Sequence, residues 1–329
     1  MNILVTGGAG FIGTNLVEFL SSLDHNILVL DKLTYAAGGK DYLPIVSNVE
    51  LIEGDICNKE QIVPLFEQHE FDVVINMAAE SHVTRSERDA LTFYLTNFSG
   101  ALNVFNWAMK FGVPRLIHFS TDEVYGSRIE GYFSESDELM AFDAEHKNAY
   151  ARSKALADQY LHKCSSYPII IVRPTNQFGP WQNPEKALPR WITSLMIGEK
   201  IKVWGQGLQI RDWLFVKECV KAVAFIMENG ELDETYNISA MNQPEITNIT
   251  MAKMLCAAFE YDPNEWIEFV PDPRVGHDFR YAADNAKLQK LGFKPNSNFE
   301  SQIFETCFWY VRNQDWWKSR KSEAERIYR

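Results

Sequence analysis

Residues 2–13 read NILVTGGAGFIG, and this stretch decides the fold. Ile3, Leu4 and Val5 form an unbroken apolar run, the pattern of a strand buried on both faces. Gly7, Gly10 and Gly13 follow at intervals of three, and Phe11, Ile12, Leu16, Phe19 and Leu20 then fall at helical spacing. A strand, a glycine turn and a helix in that order make a phosphate cradle. Glycine permits the tight turn and lets a pyrophosphate approach the backbone, and the helix N-terminus offers free N–H groups and a positive dipole end. Gly7, Gly10, Phe11, Ile12 and Gly13 are therefore the candidate binding loop for a dinucleotide.

Working outward, NILVLD (26–31), VELIEGD (49–55), FDVVINMAA (71–79), PRLIHFST (114–121) and YPIIIVRP (167–174) read as further strands, with helical stretches between them. This alternation predicts an α/β fold, a Rossmann-type doubly wound parallel sheet covered on both faces. Asp31 ends the second strand, 18 residues after Gly13. A carboxylate there can accept hydrogen bonds from both hydroxyls of an adenosine ribose and would repel a 2′-phosphate, so NAD is expected rather than NADP. Lys32 is the adjacent feature that would suit NADP. Thr34, Asp55 and Ile56 are candidates for the adenosine end, and Ala78 and Ala79, at the end of the fourth strand, complete the expected cofactor wall.

After RPTNQFGP (173–180) the pattern changes: prolines cluster at 174, 180, 184 and 189, and aromatic residues become frequent. The expected division is an NAD-binding domain over 1–175 and a smaller, mixed α/β substrate domain over 176–329. Residues 211–230 read as strand then helix and could rejoin the first domain. The tail, residues 313–329, reads as polar and charged, with an end expected to fray.

Bulk properties exclude several classes. The chain has 329 residues, 46% hydrophobic and 23% charged, which is ordinary for a globular protein of about two lobes. A formal net charge of −12 opposes binding to nucleic acid or anionic membrane. The five cysteines form no CxxC pair and no HExxH is present, so neither a disulfide framework nor a metal site is expected. No signal peptide or membrane span is read, and a cytoplasmic setting is expected.

Two further motifs carry chemistry. YARSKA (150–155) places Tyr150 and Lys154 one helical turn apart on one face. A nearby ammonium is expected to lower the phenol's pKa and suit it to removing a hydroxyl proton as hydride leaves the same carbon. HFSTDEVYG (118–126) ends the fifth strand with Thr121, Asp122 and Glu123. Two adjacent carboxyls disfavour each other's ionisation, which helps one keep a proton while the other acts as a base.

Together the glycine loop and the Tyr150/Lys154 pair resemble the extended short-chain dehydrogenase/reductase family. The Thr-Asp-Glu triplet resembles its nucleotide-sugar dehydratase branch, and so do AAESHVTRS (78–86), RPTNQFGP (173–180), NPEKALPRWI (183–192), GQGLQIRDWLFV (205–216), YNIS (236–239) and RVGHDFRYAAD (274–284). The resemblance covers essentially the whole chain. It implies that Tyr150 takes the proton of the sugar 4-hydroxyl as C4 is oxidised, while Thr121 hydrogen-bonds the 4-oxygen. Glu123 then removes the C5 proton, protonated Asp122 assists departure of the 6-hydroxyl, and hydride returns to C6.

The resemblance also implies substrate contacts. Ser81 and Glu80 lie near the nicotinamide or sugar, and Asn176 binds the sugar or its phosphate. Lys186, Ala187, Leu188 and Pro189 present main chain to the nucleobase, with Asn248 nearby, and Arg211, Arg274 and His277 meet the diphosphate. It implies a dTDP-hexose as substrate, with UDP-glucose and UDP-N-acetylglucosamine as alternatives and 4-epimerisation or non-catalytic NAD sensing behind them. It implies a homodimer built through helices near 89–111 and 148–164. Two departures from the family's pattern, Thr84 in place of Asp and the loop 139–149, bear on substrate identity rather than reaction type.

Overall fold

A computed structural model describes residues 1–140, 148–163, 167–272, 279–296 and 298–327. Its centre is a seven-stranded sheet made of β1 (Asn2–Thr6), β2 (Asn26–Asp31), β3 (Val49–Glu53), β4 (Val73–Asn76), β5 (Leu116–Phe119), β6 (Ile169–Pro174) and β7 (Thr235–Ile238). The spatial order is β3-β2-β1-β4-β5-β6-β7, and every pairing is parallel. The chain winds outward in one direction from β1 and in the other from β4, so the two strands part at their C-terminal ends. A crevice opens there, where doubly wound sheets bind ligands.

The strands read as continuous apolar runs because both faces of the sheet are covered. Ile3, Val5, Val29, Ile75, Ile117 and Val172 face one side and pack with Leu16, Val17 and Leu20 of helix α1 (Phe11–Ser22), and with Val220, Val223 and Met227 of the helix Val216–Asn229. Leu4, Leu28, Leu30, Val74, Leu116 and Ile171 face the other side. They meet Ile62, Leu65 and Phe66 of the helix Lys59–Gln68, and Val104 and Phe105 of the helix Ala101–Lys110. Within each strand, successive residues alternate between these two groups, the period-2 signature of a strand. Each fully buried Val, Leu or Ile contributes roughly 1.5–3 kcal/mol relative to exposure.

A separate core lies in the second half of the chain, formed by Phe178, Leu188, Trp191, Leu195, Trp213, Phe215, Leu255, Ile303, Tyr310 and Trp317. Its short two-stranded ladders join Gln177–Phe178 to Leu214–Phe215, Ile201–Trp204 to Ile267–Val270, and Ile210–Arg211 to Ile246–Thr247. The tail differs from its polar reading. Gln314–Ile327 is a helix whose Trp317 is 1% exposed and donates its indole N–H to Tyr310 O at 2.8 Å. Arg190 fastens the same helix through Glu325 at 3.0 Å.

Candidate active site

The strands end earlier than the apolar runs suggest. β4 stops at Asn76 and β5 at Phe119, and the residues beyond them turn into the crevice. Gly7, Gly10, Phe11, Ile12, Gly13, Asp31, Lys32, Thr34, Asp55, Ile56, Ala78 and Ala79 all line one cleft, as do Thr121, Asp122, Glu123, Tyr150 and Lys154. The sequence spreads these residues over more than 140 positions, and the parallel crossovers bring them to one sheet edge.

The glycines have distinct physical reasons. Gly7 has φ +71°, and an added Cβ would fall 2.6 Å from Ala78 N, so the loop closes directly onto the exit of β4. A Cβ on Gly13 would lie 2.4 Å from Gly7 O. At Gly10, chain neighbours aside, an added Cβ would meet protein only at Gly7 O, 3.4 Å away, which is ordinary contact. The room at Gly10 therefore belongs to the cleft, in front of the N-terminus of α1. That arrangement fits a pyrophosphate.

Asp31 is held ready. Its two oxygens accept from Ala9 N at 2.9 Å and Leu33 N at 2.8 Å, which leaves further lone pairs for ribose hydroxyls. Burial pushes its carboxyl upward, and those two backbone N–H groups oppose the shift. Lys32 instead pairs with Asp55 at 2.6 Å. Burial raises the Asp55 carboxyl, but the Lys32 and Cys57 contacts outweigh it and the group ends below the usual range. The cation that would have suited a 2′-phosphate is engaged by its own neighbour.

At the other end of the cleft, Thr121 is extended and caps the short helical turn Asp122–Tyr125, its oxygen accepting from Glu123 N at 3.3 Å. The turn buries Asp122, which receives the Thr121 hydroxyl at 3.3 Å on one oxygen. Its Oδ2 is buried and has no hydrogen-bond partner among the described residues. Burial, then Glu123 and Asp212, hold the Asp122 carboxyl well above the ordinary range against the pull of Arg211. Glu123, more open, accepts from Asn148 Nδ2 at 3.2 Å.

Tyr150 opens the helix Ala149–Lys163. Its phenol is not lowered as the sequence suggests. Burial and the Glu123 charge raise it, and the Thr121 hydroxyl pulls the other way. Lys154 does not offset this because its ammonium donates to Phe119 O and lies 3.4 Å from His118 Nε2. Burial brings Lys154 down to about 8, with Asp158 opposing.

The expected substrate residues divide. Ser81, Asn176 and Lys186 line the cofactor cleft. Leu188, Arg211 and Asn248 line a second cleft that shares Glu123, Asn176 and Lys186 with the first. Ala187 lines that second cleft too, but Pro189 lines neither. It lies buried in the helix Ala187–Met196, where its carbonyl accepts from Thr193. Arg274 and His277 lie outside the described residues, as does most of the 139–149 loop, and Thr84 falls in the short helix Val83–Arg88.

Three contributors escape a reading of the sequence. Asn148 joins Glu123 to the Tyr150 helix, because its Oδ1 also accepts from Tyr150 N at 2.9 Å. Asn97 ties the 80-segment to that helix through Glu80 N at 2.8 Å and Ser153 Oγ at 3.0 Å. Asp212 clamps Thr175, Ala240 and Asn242 behind the second cleft. The only sequence signal any of them carries is a polar residue beside a strand end or on a helix.

Fold and cleft together define a dinucleotide-binding protein with a tyrosine–lysine pair and an acidic pair at one sheet edge. The chain belongs to the NAD dependent epimerase/dehydratase family, whose model matches residues 3–239. It is 37% identical to a probable dTDP-glucose 4,6-dehydratase of Sinorhizobium fredii, over 98% of this chain and 97% of that one. Its fold matches that of DesIV, a dTDP-glucose 4,6-dehydratase from Streptomyces venezuelae solved with NAD and TYD bound. The TM-score is 0.89 and the identity 33%, over 98% of this chain and all (100%) of the other. A UDP-glucose 4-epimerase from Thermotoga maritima, solved with UDP-glucose, matches with TM-score 0.85 at 26% identity over 95% of this chain and 100% of that one.

Proposed function

We propose that this chain is an NAD-dependent nucleotide-sugar 4,6-dehydratase acting on dTDP-glucose. The observation that carries this reading is the Thr121-Asp122-Glu123 turn. It presents a carboxyl that burial pushes well above the ordinary range beside a second, more open one, in the same cleft as Tyr150. Water elimination needs an acid and a base at neighbouring carbons. Epimerisation expels no water and leaves Asp122 without a task.

Gly7, Gly10, Gly13 and Asp31 would hold the cofactor, with Lys154 available to its nicotinamide ribose. Bound NAD supplies the hydride acceptor and donor. Tyr150 takes the proton of the sugar 4-hydroxyl as its phenolate, its own proton having first left to solvent; because burial pushes the phenol upward, the Thr121 hydroxyl and the positive charge that bound NAD would bring must favour that charged form. Glu123 takes the C5 proton, made acidic by the C4 ketone, and Asp122 protonates the departing 6-hydroxyl. Asn176, whose buried Oδ1 has no hydrogen-bond partner among the described residues, and Arg211 serve the sugar and diphosphate. Arg274 and His277 complete the diphosphate site, and residues 176–329 supply most of the substrate-binding lobe.

A homodimer is part of this reading. Leu91, Leu95 and Tyr160 are exposed apolar residues on the two segments expected to form its bundle. Among the described residues no helix is long and apolar enough to cross a membrane. Cys57, Cys219, Cys256 and Cys307 are free thiols, which supports a reducing, cytoplasmic setting. The test is incubation with dTDP-glucose, UDP-glucose and UDP-N-acetylglucosamine, with products read by mass spectrometry. Loss of one water from dTDP-glucose alone, with no net NADH, is the expected result. Water loss from a UDP-sugar alone would reassign the nucleotide, and a C4 epimer without water loss would overturn the reaction.

A further inference from the structure

The stripe that carries Tyr150 and Lys154 continues one turn further to Asp158. Lys154 and Asp158 are both buried, at 2% and 0% exposure. Around them lies a buried polar network that meets the cleft at Lys154 and Ser120. Asp158 Oδ2 accepts from Arg173 Nε at 2.9 Å and from Ser120 Oγ at 2.8 Å. The His118 ring lies between the lysine and the other carboxylate oxygen, with Nε2 3.4 Å from Lys154 Nζ and 3.7 Å from Asp158 Oδ1. Thr6 donates to Asn76 Oδ1 at 2.6 Å, which turns Asn76 Nδ2 toward His118 Nδ1 at 3.4 Å. Burial, then the Lys154 and Arg173 charges, keep the His118 ring well below the usual histidine range.

The charges in this interior are unequal. Arg173 and Lys154 are two cations, and Asp158 is the carboxylate that meets the network directly. From the short helical turn, Asp122 is a carboxyl that burial pushes well upward, Glu123 reaches toward Asn148, and Tyr125 accepts from Arg173 at 2.7 Å. Glu135 touches Arg173 through its main-chain oxygen and turns its carboxylate to Asn237 N. Tyr150, on the same helix as Lys154, is a phenol pushed upward. A buried cation without a counter-ion sheds its charge where its chemistry allows, and a guanidinium cannot lose its proton whereas an ammonium can. Removing Asp158 therefore falls on Lys154.

We propose that Asp158 is a positioning residue for the reaction, the counter-charge that keeps Lys154 an ammonium aimed at Phe119 O and the cofactor cleft. This rests on the reading of Lys154 as a member of the hydroxyl-oxidising pair. The ammonium is present below its pKa and is lost as pH rises through it, so Asp158 extends the pair's working range toward higher pH.

The test is a pH titration of 13Cε-lysine signals in NAD-loaded protein without substrate, with the Lys154 signal assigned by its loss in Lys154→Met. The unaltered protein sets the reference midpoint, below that of an ordinary lysine because the group is buried. The midpoint should fall by about one unit or more in Asp158→Asn and stay in place in Ser120→Ala, which removes a hydrogen bond but no charge. Asp158→Asn leaves Arg173 unpaired, so the double variant Asp158→Asn/Arg173→Gln is titrated as well, and its midpoint should also fall. An unchanged midpoint in both Asp158 variants, or an equal shift in Ser120→Ala, overturns the proposal. Because no turnover is read, a failed dehydratase assay leaves this result standing, and a flat titration leaves the dehydratase reading standing.

Discussion

The two ends of the cleft are built differently. The cofactor end rests on the edges of long parallel strands, where Gly7 is pressed against Ala78 and Asp31 is fixed by two backbone N–H groups. The substrate end is assembled from two-residue ladders and helix starts in a separate core, and its polar groups are held by side chains such as Asp212. At the first end the close approaches are backbone to backbone, and Asp31 is the side chain that the backbone itself fixes. At the second the side chains must discriminate, and each one depends on distant partners.

The largest test of this contrast acts at the junction of the two ends. Tyr150→Phe removes the hydroxyl-proton acceptor but no backbone contact. Turnover should fall by about 10²–10⁴, with NAD still bound and no reduced cofactor formed on mixing with dTDP-glucose. Stopped-flow absorbance of NADH, together with cofactor content, checks both parts. Trp317→Ala attacks the separate core. It should cost about 3–5 kcal/mol in denaturant unfolding of the second core, with a smaller effect on NAD affinity. An equal loss of NAD binding would mean that the two ends are not built independently.

The glycines sharpen the comparison at the cofactor end itself. Gly13→Ala places a methyl 2.4 Å from Gly7 O and should cost about 1–3 kcal/mol of stability. Gly10→Ala should leave stability within about 0.5 kcal/mol yet weaken NAD binding, because its methyl enters the cleft. Thermal unfolding and calorimetric titration separate the two. The smallest effect is expected from Lys32→Ala. Its ion pair with Asp55 is largely exposed and should contribute less than about 1 kcal/mol. The variant should not gain NADP binding, since Asp31 remains.

The same contrast explains what could be read from the chain. Six strands of the sheet were legible because burial on both faces forces continuous apolar runs such as Ile169–Val172. The seventh, Thr235–Ile238, was not, because Asn237 spends its side chain on Tyr125 and Phe133 and breaks the run. The runs overshot the strands at the positions where Ala78 and Thr121 leave the sheet for the cleft. The residues expected at the cofactor carry local motifs, and they line one cleft. Pro189 turned inward because the helix begins at Ala187, a boundary its neighbours do not announce. The rise in the Tyr150 phenol and the His118–Asp158–Arg173 network depend on residues brought together only by crossovers, and no spacing encodes them.

The central claim is that Glu123 and Asp122 carry out an elimination after Tyr150 has allowed oxidation at C4. The most direct test mixes Glu123→Gln, loaded with NAD, with dTDP-glucose and follows NADH absorbance and product mass together. Reduced cofactor should accumulate while no water is lost, because oxidation outruns a step that has no base. Full water loss at the unaltered rate would contradict the account, and so would a complete absence of NADH in a protein that still binds both cofactor and sugar nucleotide.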